Sequence, residues 1–231
     1  MSDDNIVVGF VEYVGDTSTW TDQGGLLSRI LEHSLYTGLA LGLAALVALP
    51  VGLLIGHTNR GSFLALNLAN AARALPTLGV LILVALATSI DIKPVMVALV
   101  ILGVPPILAS TYAGIRSVDP DVVDAARGMG MTGREVLWRV EVPNALPLVI
   151  SGLRAATLQI VSTATIAAVV ALGGLGRPLL DGIDVRDYPQ AVAAALLVAA
   201  LAIVFDLFFA ALTRVVVSPG LGGRRVTRSR A

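Results

Sequence analysis

The sequence predicts an all-α protein that crosses a membrane about five times. Hydrophobic residues make up 56% of its 231 residues, charged residues make up only 14%, and the mean hydropathy is +0.85. A soluble domain is usually about 45–50% apolar and about 25% charged. Five apolar segments also approach or exceed the roughly 20 residues that a helix needs to cross a bilayer. A soluble helical bundle would need charged helix faces, which these segments lack.

The five predicted spans contain few or no charged residues; they are 35–55, 74–90, 94–115, 144–176 and 188–213. The second can extend back to Phe63 as a helix kinked near Pro76, because proline is a usual cause of sharp kinks. We expect one membrane domain over 29–217, which contains a central loop (116–143) and a charged loop (177–187). An acidic N-tail (1–28), which is no signal peptide, precedes the domain, and a basic tail (218–231) follows it.

Basic residues predict the orientation, since cytoplasmic segments are enriched in arginine and lysine. With the C-terminus inside, four basic residues lie outside: Arg29, Lys93, Arg177 and Arg186. Ten lie inside: Arg60, Arg116, Arg127, Arg134, Arg139, Arg214, Arg224, Arg225, Arg228 and Arg230. The N-terminus is therefore expected outside, and the central loop and the C-terminus in the cytoplasm.

The composition excludes several functional classes. Sixteen basic and sixteen acidic residues balance, which argues against a nucleic-acid partner. The absence of cysteine and the presence of only two histidines argue against a metal site. The one lysine, Lys93, precedes Pro94, so the chain lacks the Gly-Lys-Ser/Thr of a P-loop. We expect no catalytic residue, no metal and no nucleotide on this chain.

Local rules predict two short helices in the central loop. Asp119 suits an N-cap and Pro120 the first helical position. Glycines at 128 and 130 can end this first helix. Thr132 and Glu135 have capping-box spacing, which predicts the start of a second helix. Pro143 is expected to end the second helix.

The spacing within this loop resembles the EAA loop of ABC-transporter permeases. Three residues separate Asp124-Ala125-Ala126 from Gly130, and nine more separate Gly130 from Val140-Glu141-Val142-Pro143. The family pattern is Glu-Ala-Ala, three residues, Gly, nine residues, then Ile-x-Leu-Pro. Aspartate replaces glutamate here, and valine replaces isoleucine and leucine. The chain is thus similar to type I ABC importer permeases over about residues 20–217.

Other motifs resemble the branch of these importers that takes up quaternary amines. Arg73-Ala-Leu-Pro76-Thr is similar to an element that recurs among type I permeases. The segments 125–132, Pro143-x-Ala-Leu-Pro147 and Gly173-Gly-Leu-Gly176 resemble permeases for glycine betaine, choline, carnitine or proline betaine. Gly-Gly-Leu-Gly is also similar to amino-acid permeases, so import of another small solute stays the alternative.

The resemblance implies a division of labour between subunits. Two permease chains, identical or sibling, would form a pore in the cytoplasmic (inner) membrane, surrounded by lipid. A dimeric ABC ATPase would hold ATP and Mg²⁺ and grip the central loop, and an extracytoplasmic binding protein would deliver substrate. The implied ATPase-coupling residues are Asp124, Ala125, Ala126, Gly130, Val140, Val142 and Pro143. Gly173, Gly174 and Gly176 are the implied outer gate or binding-protein contact.

Polar residues mark one face of the fourth span. Ser151, Arg154, Leu158, Ser162 and Thr165 follow helical spacing and define what we call the span-four face. Polar groups in a span are expected to face the protein interior or a water-filled path, which favours a pore-lining helix. Serine and threonine that bond their own backbone or a neighbouring helix are the alternative.

A charge pair is expected within the membrane. Arg154 lies eleven residues after Pro143 and Asp206 lies eight residues before Arg214, so they sit about 16 Å and about 12 Å from the inner helix ends. An unpaired charge at that depth is costly, which predicts pairing. Arg73 is a rival partner for Asp206, and exposure to a wet pore is the alternative. Both charges are assigned to the translocation path.

The first span contains glycines four residues apart, Gly38 with Gly42 and Gly52 with Gly56, a spacing that predicts close helix packing. His33, at a membrane boundary, is expected to be an interfacial residue. Two further functional classes fit less well. Secondary transporters commonly show internal repeats or broken helices around central carboxylates, and here Asp206 stands alone without a repeat. An intramembrane enzyme needs a catalytic constellation, which no span contains.

Overall fold

The computed structural model describes residues 3–88 and 90–217 of the chain and shows helices with no strand in that part. The helices, in chain order, are α1 (Asp3–Gly15), α2 (Thr17–Thr21), α3 (Leu26–Thr58), α4 (Ser62–Arg73), α5 (Thr77–Ala87), α6 (Ile92–Arg116), α7 (Pro120–Gly128), α8 (Gly133–Val136), α9 (Val142–Thr163), α10 (Gly176–Asp184) and α11 (Tyr188–Val216). A π-helical segment (Leu137–Glu141) precedes α9, and a 3₁₀ segment (Ala164–Val170) follows it.

The centre of the bundle is α6, which packs most extensively against α3 and α9. Small residues recur every fourth position on the buried side of α3: Ala40, Ala44, Ala48, Gly52 and Gly56. This row lets α3 approach α6 closely, because a Cβ on Gly52 would lie 2.8 Å from Thr111 Cβ and one on Gly56 2.7 Å from Ile115 Cβ. The packing prediction is thus confirmed for Gly52 and Gly56, whereas Gly38 and Gly42 have no neighbour within 4 Å in this chain.

Within the described residues, four helices are long and apolar enough to cross a membrane, or five if a bent pair of helices counts as one span. The pair is α4 and α5, which meet at an angle of 88° next to Pro76. Proline has no backbone N–H for a helical hydrogen bond, and its ring clashes with the preceding turn, so it breaks the helix. The break therefore lies where the sequence predicts a kink. The second span is therefore two short helices, and α5 alone, at eleven residues, is about 16 Å long.

The central loop forms the two helices that its caps predict. Asp119 caps α7, Pro120 begins it, and a complete capping box between Thr132 and Glu135 begins α8. The expectation that Pro143 ends the second helix is wrong. The helix runs on through the π-helical segment into α9, and Pro143 occupies the first turn of α9, where a missing N–H is tolerated. The loop is consequently continuous with the fourth span.

The end of the fourth span also differs from the prediction. The α-helix stops at Thr163 and continues as 3₁₀ helix to Val170, so the regular span is shorter than 144–176. The expected charged loop over 177–187 is mostly the helix α10, with an Arg177–Asp181 ion pair along its side. Between the 3₁₀ segment and α10 lies a sharp turn with Ala171 and Gly174 at positive φ.

The acidic N-tail is helical over much of its length, and α3 begins at Leu26, within the range expected for the tail. Helix α1 packs against the start of α11, where a Cβ on Gly9 would lie 2.7 Å from Pro189 Cγ. Residues 218–231, which carry the expected basic tail, lie outside the described part of the chain.

Candidate functional site

The central loop lies at one end of the bundle, which we call the loop end; the opposite end, with residues 173–176, is the far end. Two alanines of the loop face opposite ways. Ala126 is 3% exposed and packs inside the chain, whereas Ala125 is exposed next to Asp124, whose side chain is 74% exposed. Of the motif residues on α7, Asp124 and Ala125 are therefore available to a partner.

Large apolar side chains surround this open surface. Val122, Met129 and Trp138 are all exposed, each by nearly half or more of its surface. Arginines 127, 134 and 139 are also exposed in the central loop. Arg127 pairs with Asp124 and Arg139 with Glu135, each at a long distance of 3.7 Å. Exposed aromatic, methionine and arginine side chains are enriched where proteins bind one another. Val140, Val142 and Pro143 are partly covered by the chain and connect this surface to α9.

The turn between α7 and α8 depends on Gly130. Its φ is +88°, a conformation that residues with a side chain rarely adopt, and its Cβ position is open space. On the other side of the turn, the backbone N–H and the hydroxyl of Thr132 both donate to Glu135 Oε2 at 2.9 Å. These hydrogen bonds, the backbone one first, hold the pKa of Glu135 below its ordinary value. The loop is thus a defined pair of helices.

A contact that the sequence does not predict joins α3 to this loop. Nδ1 of His57 donates to Glu141 Oε2 at 2.6 Å, and the Glu141 side chain is only 7% exposed. A cavity of about 210 Å³ lies beside the pair and is bounded by both α6 and α7, among others at Arg116 and Arg127. No sequence signal links the two residues, because 84 positions separate them.

The expected pairing of Arg154 with Asp206 is confirmed. Arg154 donates from Nε to Asp206 Oδ1 at 2.5 Å and from Nη2 to Oδ2 at 2.6 Å, a bidentate pair between α9 and α11. The side chains are 43% and 29% exposed within this single chain. Since a half-exposed ion pair is unfavourable against lipid, this region is expected to border water or another subunit.

The other polar residues of the span-four face are open in part. Ser151 and Ser162 are exposed and Thr165 is half-buried. Ser162 donates to the carbonyl of Leu158, and Thr165 donates to the carbonyl of Ser162, so these hydroxyls bond their own backbone. The face is therefore partly uncovered by its own chain.

At the far end, the turn of residues 173–176 is fastened to the start of α3. Gly174 donates its N–H to Glu32 Oε2 at 2.7 Å, and Leu175 donates to His33 Nδ1 at 3.3 Å. His33 is fully buried inside the chain and its Nε2 donates to the carbonyl of Val161 at 2.9 Å, whereas its position at the membrane boundary stays a prediction. Its hydrogen bonds satisfy both ring nitrogens, which makes burial acceptable.

The glycines of this turn are required by packing inside the chain. A Cβ on Gly173 would overlap the Glu32 carboxylate, and one on Gly176 would overlap the backbone carbonyl of Thr165. Gly174 has φ +81° and lies against His33. The resemblance implies that Gly173, Gly174 and Gly176 form an outer gate or binding-protein contact. Packing within the chain is a separate reason for glycine at each of these positions.

Residues 48–218 match the family described as the binding-protein-dependent transport system inner membrane component. The chain is 32% identical over 205 residues to the glycine betaine/carnitine/choline transport system permease protein of Bacillus subtilis, covering 89% of this chain and 94% of that protein. It is 35% identical over 191 residues to an osmoprotectant import permease protein of Salmonella typhimurium, covering 79% of this chain and 87% of that protein.

Solved structures share the fold. The chain superposes on a subunit of an inward-facing methionine ABC transporter with a TM-score of 0.74, at 20% identity, over 84% of this chain and 96% of that one. It also superposes on a subunit of an amino-acid ABC transporter crystallised with histidines, with a TM-score of 0.67 at 23% identity. At these identities the likeness concerns the fold alone.

Proposed function

The chain belongs to the family of binding-protein-dependent transport system inner membrane components, and we propose that it is the pore-forming permease subunit of an ATP-driven importer of quaternary amines. The observation that carries the substrate class is the 32% identity, over nearly the whole length of both chains, to a permease for glycine betaine, carnitine and choline. Choline and carnitine permeases share similar identity over most of the chain.

The partners follow from the architecture of such importers. A second permease chain covers the exposed span-four face, a dimeric ABC ATPase binds the central loops, and a binding protein outside the membrane delivers the substrate. ATP and Mg²⁺ are bound by the ATPase, whereas this chain supplies the pore. The exposed Ala125, Met129 and Trp138 support docking of the ATPase at the loop end.

Movement reaches the pore through a continuous helix. Because the central loop runs through the π-helical segment into α9 without a break, a displacement of α8 moves α9 directly. Helix α9 carries the span-four face, so ATP-driven closure of the ATPases changes the width of the path beside it. We assign Ser151, Arg154, Ser162, Thr165 and Asp206 to this path, and the turn of residues 173–176 to the outer side.

The proposed orientation places the loop end in the cytoplasm and the N-terminus outside. The chain contains no cysteine, so single cysteines report sidedness directly. Arg134→Cys in the central loop should react with an impermeant maleimide only from the cytoplasmic side, and Ser18→Cys on α2 only from outside. Both positions are exposed, and both belong to the described part of the chain, whereas Ser2 lies outside it. The reverse labelling pattern would overturn the orientation.

Uptake by the reconstituted importer tests the function. We expect proteoliposomes that contain the permease, its ATPase and its binding protein to accumulate radiolabelled glycine betaine or choline. Accumulation should require ATP inside the vesicles, on the same side of the membrane as the ATPase. Unlabelled methionine and histidine are added as competitors, because amino acids are the alternative class of substrate. Competition by amino acids, with none by any quaternary amine, would replace the substrate assignment and leave the permease assignment standing.

A further inference from the structure

The loop end of α3 bonds the central loop through one side chain, which also lies close to a second part of that loop. His57, in the last turn of α3, donates to Glu141 at the end of the π-helical segment. The opposite edge of its ring faces the start of α8, where a Cβ on Gly133 would lie 3.5 Å from His57 Nε2. The His57 side chain therefore bonds the end of the segment that links α7 to α9 and lies close to its beginning.

Glu141 is held in an environment where it needs this partner. Its side chain is 7% exposed, and a buried carboxylate without a hydrogen-bonding partner is strongly unfavourable. It also belongs to the π-helical segment, a helix type that is rare and is found frequently at functional sites. The bond to His57 thus fixes the position of the π-helical segment relative to α3.

The other end of α3 is bound to the far-end turn. His33 and Glu32 accept hydrogen bonds from Leu175 and Gly174, and His33 also bonds the Val161 carbonyl of α9. From His33 to His57 the helix rises about 36 Å, at 1.5 Å for each residue. The same helix therefore connects the central loop with the turn on the opposite side of the membrane domain.

We infer that His57 and Glu141 are positioning residues that make α3 a second mechanical link, beside α9, between the ATPase-driven movement of the central loop and the far end. The inference rests on the proposed function, because it requires that an ATPase moves this loop. Movement of α8 and the π-helical segment carries the end of α3 with it, and α3 carries the turn of residues 173–176. The importer then opens one side as the other closes.

The test is the number of substrate molecules taken up for each ATP hydrolysed in the reconstituted importer. His57→Ala and Glu141→Ala should each lower this ratio by about tenfold, the upper part of the range by which single residues change coupling between sites. ATP hydrolysis and co-purification of the ATPase should stay within about twofold, because the docking surface of α7 is unchanged. Glu141→Gln keeps an acceptor for His57 and should keep most of the ratio.

Two controls separate this role from a general loss of structure. Thr58→Ala, at the neighbouring exposed position that bonds its own backbone, should leave the ratio unchanged. The double variant His57→Ala/Glu141→Ala should lose no more than either single variant, because both act through one contact. An unchanged ratio in the single variants, or losses that add, would overturn the inference. Wild-type importer that hydrolyses ATP without moving any quaternary amine would instead overturn the proposed function.

A covalent link decides the question even where a single variant assembles poorly. His57→Cys/Glu141→Cys, in a chain without other cysteines, should form a disulfide or react with a short bifunctional thiol reagent. Because the two residues are inferred to stay together through the transport cycle, the linked importer should keep its uptake. Failure of the link to form, or uptake that is lost on linking and regained on reduction, would contradict the inference.

Discussion

The two ends of α3 are fastened to their surroundings in different ways. At the far end, backbone N–H groups of the turn donate to Glu32 and His33, and glycines are needed because no space is left for a Cβ. At the loop end, a single side-chain bond between His57 and Glu141 lies beside a cavity of about 210 Å³. The far-end joint, as we call the contact between the turn of residues 173–176 and α3, uses backbone hydrogen bonds and leaves no free space. The contact at the loop end is one side-chain hydrogen bond beside a cavity.

The difference indicates where the chain can adjust. Closely packed regions resist deformation, so the far-end turn and the start of α3 are expected to move as one body. At the loop end, the cavity lets α7 and α8 tilt while the His57–Glu141 bond persists. Substitutions should therefore affect mainly folding at the far end and mainly coupling at the loop end.

The largest effect is expected for Gly176→Ala at the far end. Its Cβ would overlap the backbone carbonyl of Thr165, which cannot rotate away. We expect most of the folded permease to be lost, measured as monodisperse protein by size-exclusion chromatography in detergent. Gly38→Ala adds the same atom where no neighbour lies within 4 Å and should express normally. Equal yields of the two variants would show that the far-end joint is not tightly packed.

Glu32→Ala should weaken the same joint by a smaller amount. It removes the acceptor of the Gly174 N–H, and because the Glu32 side chain is 40% exposed, we expect a loss of about 1–2 kcal/mol in the free energy of unfolding. Thermal unfolding in detergent measures the change. Asp124→Ala, at a 74% exposed position of the loop end, should change stability by less than about 0.5 kcal/mol. A reversed order would contradict the comparison.

Each end of the bundle contains a glycine with positive φ, and the two glycines differ in how closely their surroundings are packed. Gly174, at φ +81°, lies against His33 Nδ1, 3.3 Å from its Cβ position, whereas Gly130, at φ +88°, faces open space. Alanine costs roughly 1 kcal/mol at either position for the backbone alone. Gly174→Ala should be the more destabilising of the two in thermal unfolding, because it adds crowding. Equal losses would show that packing contributes nothing at the far end.

The smallest effect concerns the capping box of α8. Because the folded chain holds the pKa of Glu135 below its ordinary value, this stabilisation is present at neutral pH and is lost as pH falls through the lowered value. Glu135→Ala should raise hydrogen exchange across residues 130–137 at pH 7, and Glu135→Gln should raise it less, since glutamine completes a capping box without the charge. The difference between wild type and Glu135→Gln should vanish at low pH; its persistence there would contradict the role of the carboxylate.

The sequence predicts best what depends on neighbouring residues or on depth in the membrane. The caps at Asp119 and Thr132 are local hydrogen bonds, so short motifs are sufficient to find them. The Arg154–Asp206 pair follows from comparing distances along two helices, because charges at equal depth in lipid need each other. The break at Pro76 follows from the chemistry of proline.

Apart from the Arg154–Asp206 pair, the sequence does not predict the contacts between distant residues, and it does not predict departures from regular helix. His57 and Glu141 are 84 positions apart, and His33 meets Leu175 across 142. Pro143 is misleading because the π-helical segment before it provides a turn that accommodates proline within a continuous helix. Ala126 faces inward because of how α7 packs, which the motif alone does not indicate.

We propose that the loop end transmits ATP-driven movement to the spans. Ala125→Trp tests it most directly, since Ala125 is exposed on α7, and Gly130→Asp adds a side chain at the turn. Both variants should insert and accumulate as wild type does, fail to co-purify with the ATPase, and show no ATP-dependent uptake of glycine betaine. If ATPase assembly and uptake were normal in both, the central loop would not be the coupling site.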